Sequence, residues 1–294
     1  MEELLRPWRY EFFVNGMIAA TLVGALCGLI GVFVVLRHMS YIGHGLSHAI
    51  FGGAVVSYIL QWNFYLGAGL WGFIAALLIN ATARKRQIGA DAAIGVITTA
   101  SFAIGVALIS KVRRFTKNFE AALFGNILGV TPTDLWIIAG VFIFTIVVFF
   151  FAYKQLLFTT FDPDVAPTYG VSSQWIEALF AFVLAAALIA SMQVMGVTLI
   201  AAALVIPAVI GRLITDSFAK LLLLTTLIGA LCGTIGMYVS FYADVASGAT
   251  IVLTAAALFV VAIAISSLQQ RRRGMRVGVD ASPVLSAHGD SHLF

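Results

Sequence analysis

The chain has 294 residues, 61% of them hydrophobic and only 10% charged, with a net charge of +4 and a mean hydropathy of +1.03. A soluble domain carries about 45–50% apolar and about 25% charged residues, so this composition excludes a soluble enzyme, a nucleic-acid-binding domain and a disordered chain. At about 20 apolar residues per membrane-spanning helix, the length accommodates about eight or nine spans joined by short loops.

The opening residues, MEELLRPWRYE, carry both charge signs. The apolar run behind them is too long for a signal-peptide h-region, so no cleavable signal is expected. Residues 1–11 read as an N-terminal segment, 12–268 as a transmembrane domain and 269–294 as a mobile tail. Nine apolar runs follow one another at 12–36, 41–60, 65–83, 88–110, 132–153, 173–194, 196–214, 219–242 and 249–268. Each predicts a membrane helix, which makes the fold class all-α and polytopic. If residues 1–36 are not one simple span, the count falls to eight.

In the first run Gly24 and Gly28 stand four apart, as Gly229 and Gly233 do in the eighth. Small residues at this spacing let helix backbones approach, and intrachain packing is the favoured reading over a dimer motif. Asp91, Glu177 and Asp244 read as helix-start charges that complement the dipole. The two longest breaks are 111–131, which holds Glu120, and 154–172. Asn15, Asn126 and Gln193 are neutral groups suited to bonds between helices. Pro207 lies mid-run and predicts a kink or break. Cys27 and Cys232 sit in apolar runs, with no sign of a disulfide framework. In the tail, His288, Asp290 and His292 offer weak metal binding, but a flexible end without a role is favoured.

Lys and Arg collect in cytoplasmic loops. With nine spans, Arg37, the cluster Arg84, Lys85 and Arg86, then Lys154, Arg212, Lys220 and Arg271 to Arg273 all fall on one side, which puts the N-terminus outside and the C-terminus in the cytoplasm. Lys111, Arg113, Arg114 and Lys117 fall on the wrong side. Either they form an interfacial helix or the count is off by one.

The second run contains His44 and His48, an i, i+4 pair that a helix places on one face, one turn apart. Ionisable groups in a span are costly and mark functional sites by default, and imidazole is a common ligand of transition metals. Two readings are open: a packing pair bonded to neighbouring carbonyls or lying near the surface, and a metal or proton site. The doubled histidine, with Ser47 and small glycines beside it, favours the second. One helix supplies two ligands, and a second copy across a two-fold axis is the economical source of two more.

Several stretches, in order and covering about 12–268, resemble one family: LRHMSYIGHGLSHAIFGGAV, IGADAAIGVITTASFAIGVALIS, LFGNILGVTPTDL, FTTFDPDVAPTYGV, GVTLIAAALVIPAVIGRLITDS and YADVASGATIVLTAAALFV. The chain is similar to the membrane permeases of the ABC transporters for zinc, manganese and iron. The resemblance implies an ABC importer permease fold and a multi-pass plasma-membrane protein. It implies a non-enzymatic subunit that works with a second permease copy, a cytoplasmic ABC ATPase dimer and an extracytoplasmic metal-binding protein. The sequence has no Walker A phosphate-binding pattern, so ATP hydrolysis is expected in the partner. The family's cytoplasmic coupling helix matches 162–170, which nominates Asp162, Pro163, Asp164, Tyr169 and Gly170 as the ATPase contact. The family's metal site has an Asp at the position of His44 and a His at that of His48, and an Asp is common at the position of Asn126. Imidazole for carboxylate makes a softer, less negative site, favouring zinc or iron over manganese.

The expected function is therefore ATP-driven import of a divalent transition metal, zinc, manganese or both, with iron as a further candidate, through a path formed by a permease dimer, with the metal as substrate and no permanently bound cofactor. One alternative is an ABC permease for an iron chelate or a cobalamin-like cofactor, which would not need two histidines. A proton-coupled carrier or an intramembrane metalloprotease is disfavoured by the few buried carboxylates and by H-G-L-S-H in place of H-E-x-x-H.

Overall fold

A computed structural model describes residues 6–83, 90–112, 123–162 and 165–280. Pro163 and Asp164, the basic cluster at 84–86, Arg113, Arg114, Lys117, Glu120 and the tail residues His288, Asp290 and His292 lie outside the described residues.

Lipid offers no partner for backbone N–H and C=O groups, so each apolar run must satisfy its own as a helix. The runs become α1 (Glu11–Leu36), α2 (Ser40–Ile59), α3 (Phe64–Ala83), α4 (Ala90–Val112) and α5 (Pro132–Phe151). After the short α6 (Tyr153–Phe161) come α7 (Ser173–Met195), α8 (Ile200–Ile214), α9 (Phe218–Ala243) and α10 (Ser247–Asp280). Among the described residues seven helices are long and apolar enough to cross a membrane: α1, α3, α4, α5, α7, α9 and α10. The other two of the nine runs are α2, diluted by its histidines, serines and glycines, and the 15-residue α8. α1 is one unbroken helix of 26 residues, so residues 11–36 form a single span.

α1 and α7 form the centre, with 78% and 72% of their spans buried, while α5 and α10 are peripheral at 17% and 11%. α1 packs most extensively along α9. A Cβ on Gly24 would sit 2.2 Å from the Gly229 carbonyl oxygen, and one on Gly233 would sit 2.2 Å from that of Ala20. The two glycine pairs therefore serve one contact inside the chain, as their spacing predicts. Cys27 and Cys232 are buried and free.

Ring contacts fix the two ends of the bundle. At one end Phe33 of α1 meets Phe149, Phe180 and Phe218, and Tyr153 and Phe161 also reach Phe218. At the other end Phe13 meets Phe241, and Trp8 donates to the Tyr238 hydroxyl. Arg37, Lys154, Arg212 and Lys220 all belong to the first end, called here the basic end.

Two expectations change. The polar break after α5 contains α6, where Leu156 and Thr159, with Ala152 at the cap before it, form a buried stripe at helical spacing. Pro207 lies inside α8 and does not terminate it. Proline removes one backbone donor, and neighbouring helices tolerate this in membranes; α8 is packed against α1, α9 and α10.

Between α7 and α8 the chain is irregular. Gly196 has φ 77° and Gly125, in the segment before α5, has φ 80°. A Cβ on Gly196 would lie 2.4 Å from the Gly125 nitrogen, so both positions require glycine. The two breaks satisfy one another: Asn126 N donates to Gln193 O at 2.8 Å, and Thr198 Oγ1 donates to Leu123 O at 2.8 Å.

Candidate metal site

His44 and His48 lie in the first half of α2, counted from the basic end. Their rings meet edge to face with centroids 4.5 Å apart, as the one-turn spacing predicts. His44 is exposed and His48 half-buried, with its ring edge-on to Phe102 of α4 at 5.1 Å. The Nδ1 atom of His48 is buried and has no hydrogen-bond partner. A buried polar atom without a partner is costly, and imidazole is a ligand type that suits transition metals.

Glycines of α2 let α4 pack closely beside the pair. A Cβ on Gly45 would meet Ile94 and Thr98 side chains at 2.6 and 2.8 Å, and one on Gly52 would meet the Ser101 carbonyl at 2.3 Å. These contacts bring α4 close beside the histidine helix. Ser47, buried next to the pair, has its hydroxyl 2.8 Å from His44 O and 3.1 Å from Val197 O. It ties α2 to the irregular stretch between α7 and α8.

The result is a cavity of about 470 Å³ whose polar wall is Tyr41, His44, His48, Asp91, Thr98 and Thr99. Asp91 opens α4. The helix-start reading from sequence left out its second property, that it shares a cavity with both histidines. Only the side-by-side packing of α2 and α4 reveals this, and no local pattern encodes it. Among the described residues no group of three or more His, Cys, Asp or Glu is close enough to hold a metal ion.

The segment nominated as the ATPase contact lies at the basic end. Asp162 closes α6, its N–H donating to Phe158 O at 2.8 Å. A 3-10 turn, Ala166–Tyr169, follows and ends at Gly170, whose φ of 76° suits glycine. Tyr169 is 70% exposed and stacks on Phe158 with centroids 5.6 Å apart.

At the far end a polar cluster was not expected. Tyr65 of α3 donates to Asp134 of α5, and the Gln193 side chain bonds to Tyr65. Asp134 also completes a capping box with Thr131. The T-P-T-D sequence carries that signal, Thr followed three residues later by an acid. Asn126 uses its side chain to cap the turn at Ile127–Gly129, accepting from Gly129 N at 3.2 Å.

Comparison with known proteins fits this architecture. The manganese transport system membrane protein MntC of Halalkalibacterium halodurans is 37% identical over 260 residues, 88% of this chain and 89% of that protein. The manganese import system permease protein ScaB of Streptococcus gordonii is 36% identical over 261 residues, 89% of this chain and 94% of that protein. The solved structure of PsaBC from Streptococcus pneumoniae in complex with Fab superimposes with a TM-score of 0.81 at 33% identity, covering 89% of this chain and 94% of that chain. The ABC 3 transport family profile matches residues 9–266, nearly the whole helical bundle, and this multi-pass membrane protein belongs to that family.

Proposed function

We propose that the protein is the permease of an ATP-driven importer of divalent transition metals, zinc or manganese, and that His44 and His48 bind the ion in transit. The observation that carries this reading is the imidazole pair lining a cavity in a chain whose relatives are named as manganese transport permeases. His44 stands where the family carries an Asp, which supports a shift toward zinc.

The basic end is cytoplasmic by the positive-inside rule. An extracytoplasmic metal-binding protein delivers the ion at the far end. Two permease copies face one another across the α2–α4 cavity, so that four imidazoles meet the ion. Neutral imidazole nitrogens bind it, weakly enough to let it leave, and Asp91 lies toward the cytoplasmic mouth as a carboxylate on the exit side. A cytoplasmic ATPase dimer docks on the segment from Asp162 to Gly170. Its closure alternates access between the two sides.

The test is uptake into proteoliposomes containing the permease, its ATPase and its binding protein. ATP-dependent accumulation of free zinc or manganese, uncompeted by iron chelates or cobalamin, is the expected result. Transport of a chelate in preference to free metal would overturn the reading.

A further inference from the structure

Arg37 is the first residue beyond α1, at the corner that leads into the histidine helix. Its Nε donates to Thr160 Oγ1 at 3.0 Å and its Nη2 to Thr159 Oγ1 at 3.0 Å, both on α6. Its guanidinium carbon lies 4.5 Å from the centre of the Phe180 ring on α7. Burial pulls the guanidinium down to about 10, and Glu177, one turn earlier on α7, opposes the shift by attracting the charge, so it stays ionised at neutral pH.

The threonines are arranged to accept. Thr159 Oγ1 donates to Gln155 O at 3.0 Å, and Thr160 Oγ1 donates to Leu156 O at 2.6 Å. Each hydroxyl has one proton, already directed into its own helix, so its lone pairs face the arginine. The planar fork of a guanidinium reaches both hydroxyls at once, which a lysine ammonium does not reproduce.

The two helices that Arg37 holds are the two arms of the turn bearing Tyr169: α6 leads in and α7 leads out. On its other side, Arg37 belongs to a rigid corner. Arg37 N donates to Phe33 O at 2.9 Å, Met39 N to Val34 O at 3.0 Å and Ile42 N to Met39 O at 2.8 Å. His38, between them, holds a φ of 55°. Only three residues separate α1 from α2, and His44 follows one turn into α2.

We infer that Arg37 is the positioning residue that carries movement of the ATPase-facing turn to the helix bearing His44 and His48. The inference rests on the reading of the segment from Asp162 to Gly170 as the ATPase contact. A contiguous set of hydrogen bonds and one half-buried charge links both arms of the turn to the corner that leads into α2.

The measurement is the ratio of metal transported to ATP hydrolysed by the complete transporter in proteoliposomes. Arg37→Ala is expected to lower that ratio at least tenfold while ATP hydrolysis falls less than twofold. Arg37→Lys is expected to recover it only in part. Thr159→Val with Thr160→Val, which keeps the helix and removes both acceptors, is expected to uncouple in the same way. A wild-type ratio in the double valine variant, or a parallel loss of uptake and hydrolysis in every variant, would overturn the inference. Tyr169→Ala separates it from the reading it rests on. A normal ratio there, with Arg37→Ala uncoupled, supports the strut and moves the ATPase contact away from Tyr169.

Discussion

His48 keeps one imidazole nitrogen buried and unpartnered while its neighbour His44 is exposed to the same cavity. If both bind the ion, His48→Ala is expected to lower metal uptake more than tenfold, and His44→Ala comparably, measured in proteoliposomes with protein amount held equal. Imidazolium cannot bind a metal, so uptake should also fall on acidification. His44→Asp restores the family's carboxylate and is expected to raise manganese uptake relative to zinc several-fold. The pair was legible because i, i+4 spacing in an apolar run is a local pattern. Asp91 was legible only as a helix start, since its place in the cavity depends on α2 and α4 lying side by side. Arg37 read as an orientation signal, and its bonds to Thr159 and Thr160 span more than a hundred residues of sequence.

At the scale of elements, the α1–α9 contact is set by backbone approach rather than by side-chain size. A Cβ on Gly28 would sit 2.2 Å from the Thr225 carbonyl oxygen and one on Gly229 would sit 2.0 Å from that of Gly24. Gly28→Leu is therefore expected to cost at least the ~1–3 kcal/mol typical of overpacking, read as a lower melting temperature of the detergent-solubilised protein. Gly140→Ala, where a Cβ meets nothing within 4 Å, should leave it unchanged. All nine apolar runs became helices because hydropathy and length report directly on the absence of water partners for the backbone. α6 escaped because nine residues with Lys154 and Gln155 among them carry too little hydropathy to stand out. Of the kink or break that Pro207 predicts, the break does not occur, because neighbouring helices hold the chain. Gly125 and Gly196 gave no signal among so many glycines, and their need for positive φ arises only where the two breaks meet.

For the molecule as a whole, alternation of the helices puts Arg37, Lys154, Arg212 and Lys220 at one end, with Tyr169 exposed there. Both native cysteines are buried, and replacing them with Ala or Ser gives a background free of other thiols. In that background Tyr169→Cys is expected to resist a membrane-impermeant thiol reagent in intact cells and to react in inverted vesicles. Labelling of intact cells would reverse the assigned orientation. The family's shared architecture accounts for the bundle and its outward apolar faces, whereas under the proposed function the metal chosen depends on His44, His48 and Asp91. The most direct test of that choice is anomalous scattering from zinc or manganese in crystals of the assembled transporter. The account predicts a peak between two permease copies, at about 2.0–2.1 Å from imidazole nitrogens of His44 or His48 if the ion is zinc. A metal peak held by other residues, with both imidazoles facing lipid, would contradict it.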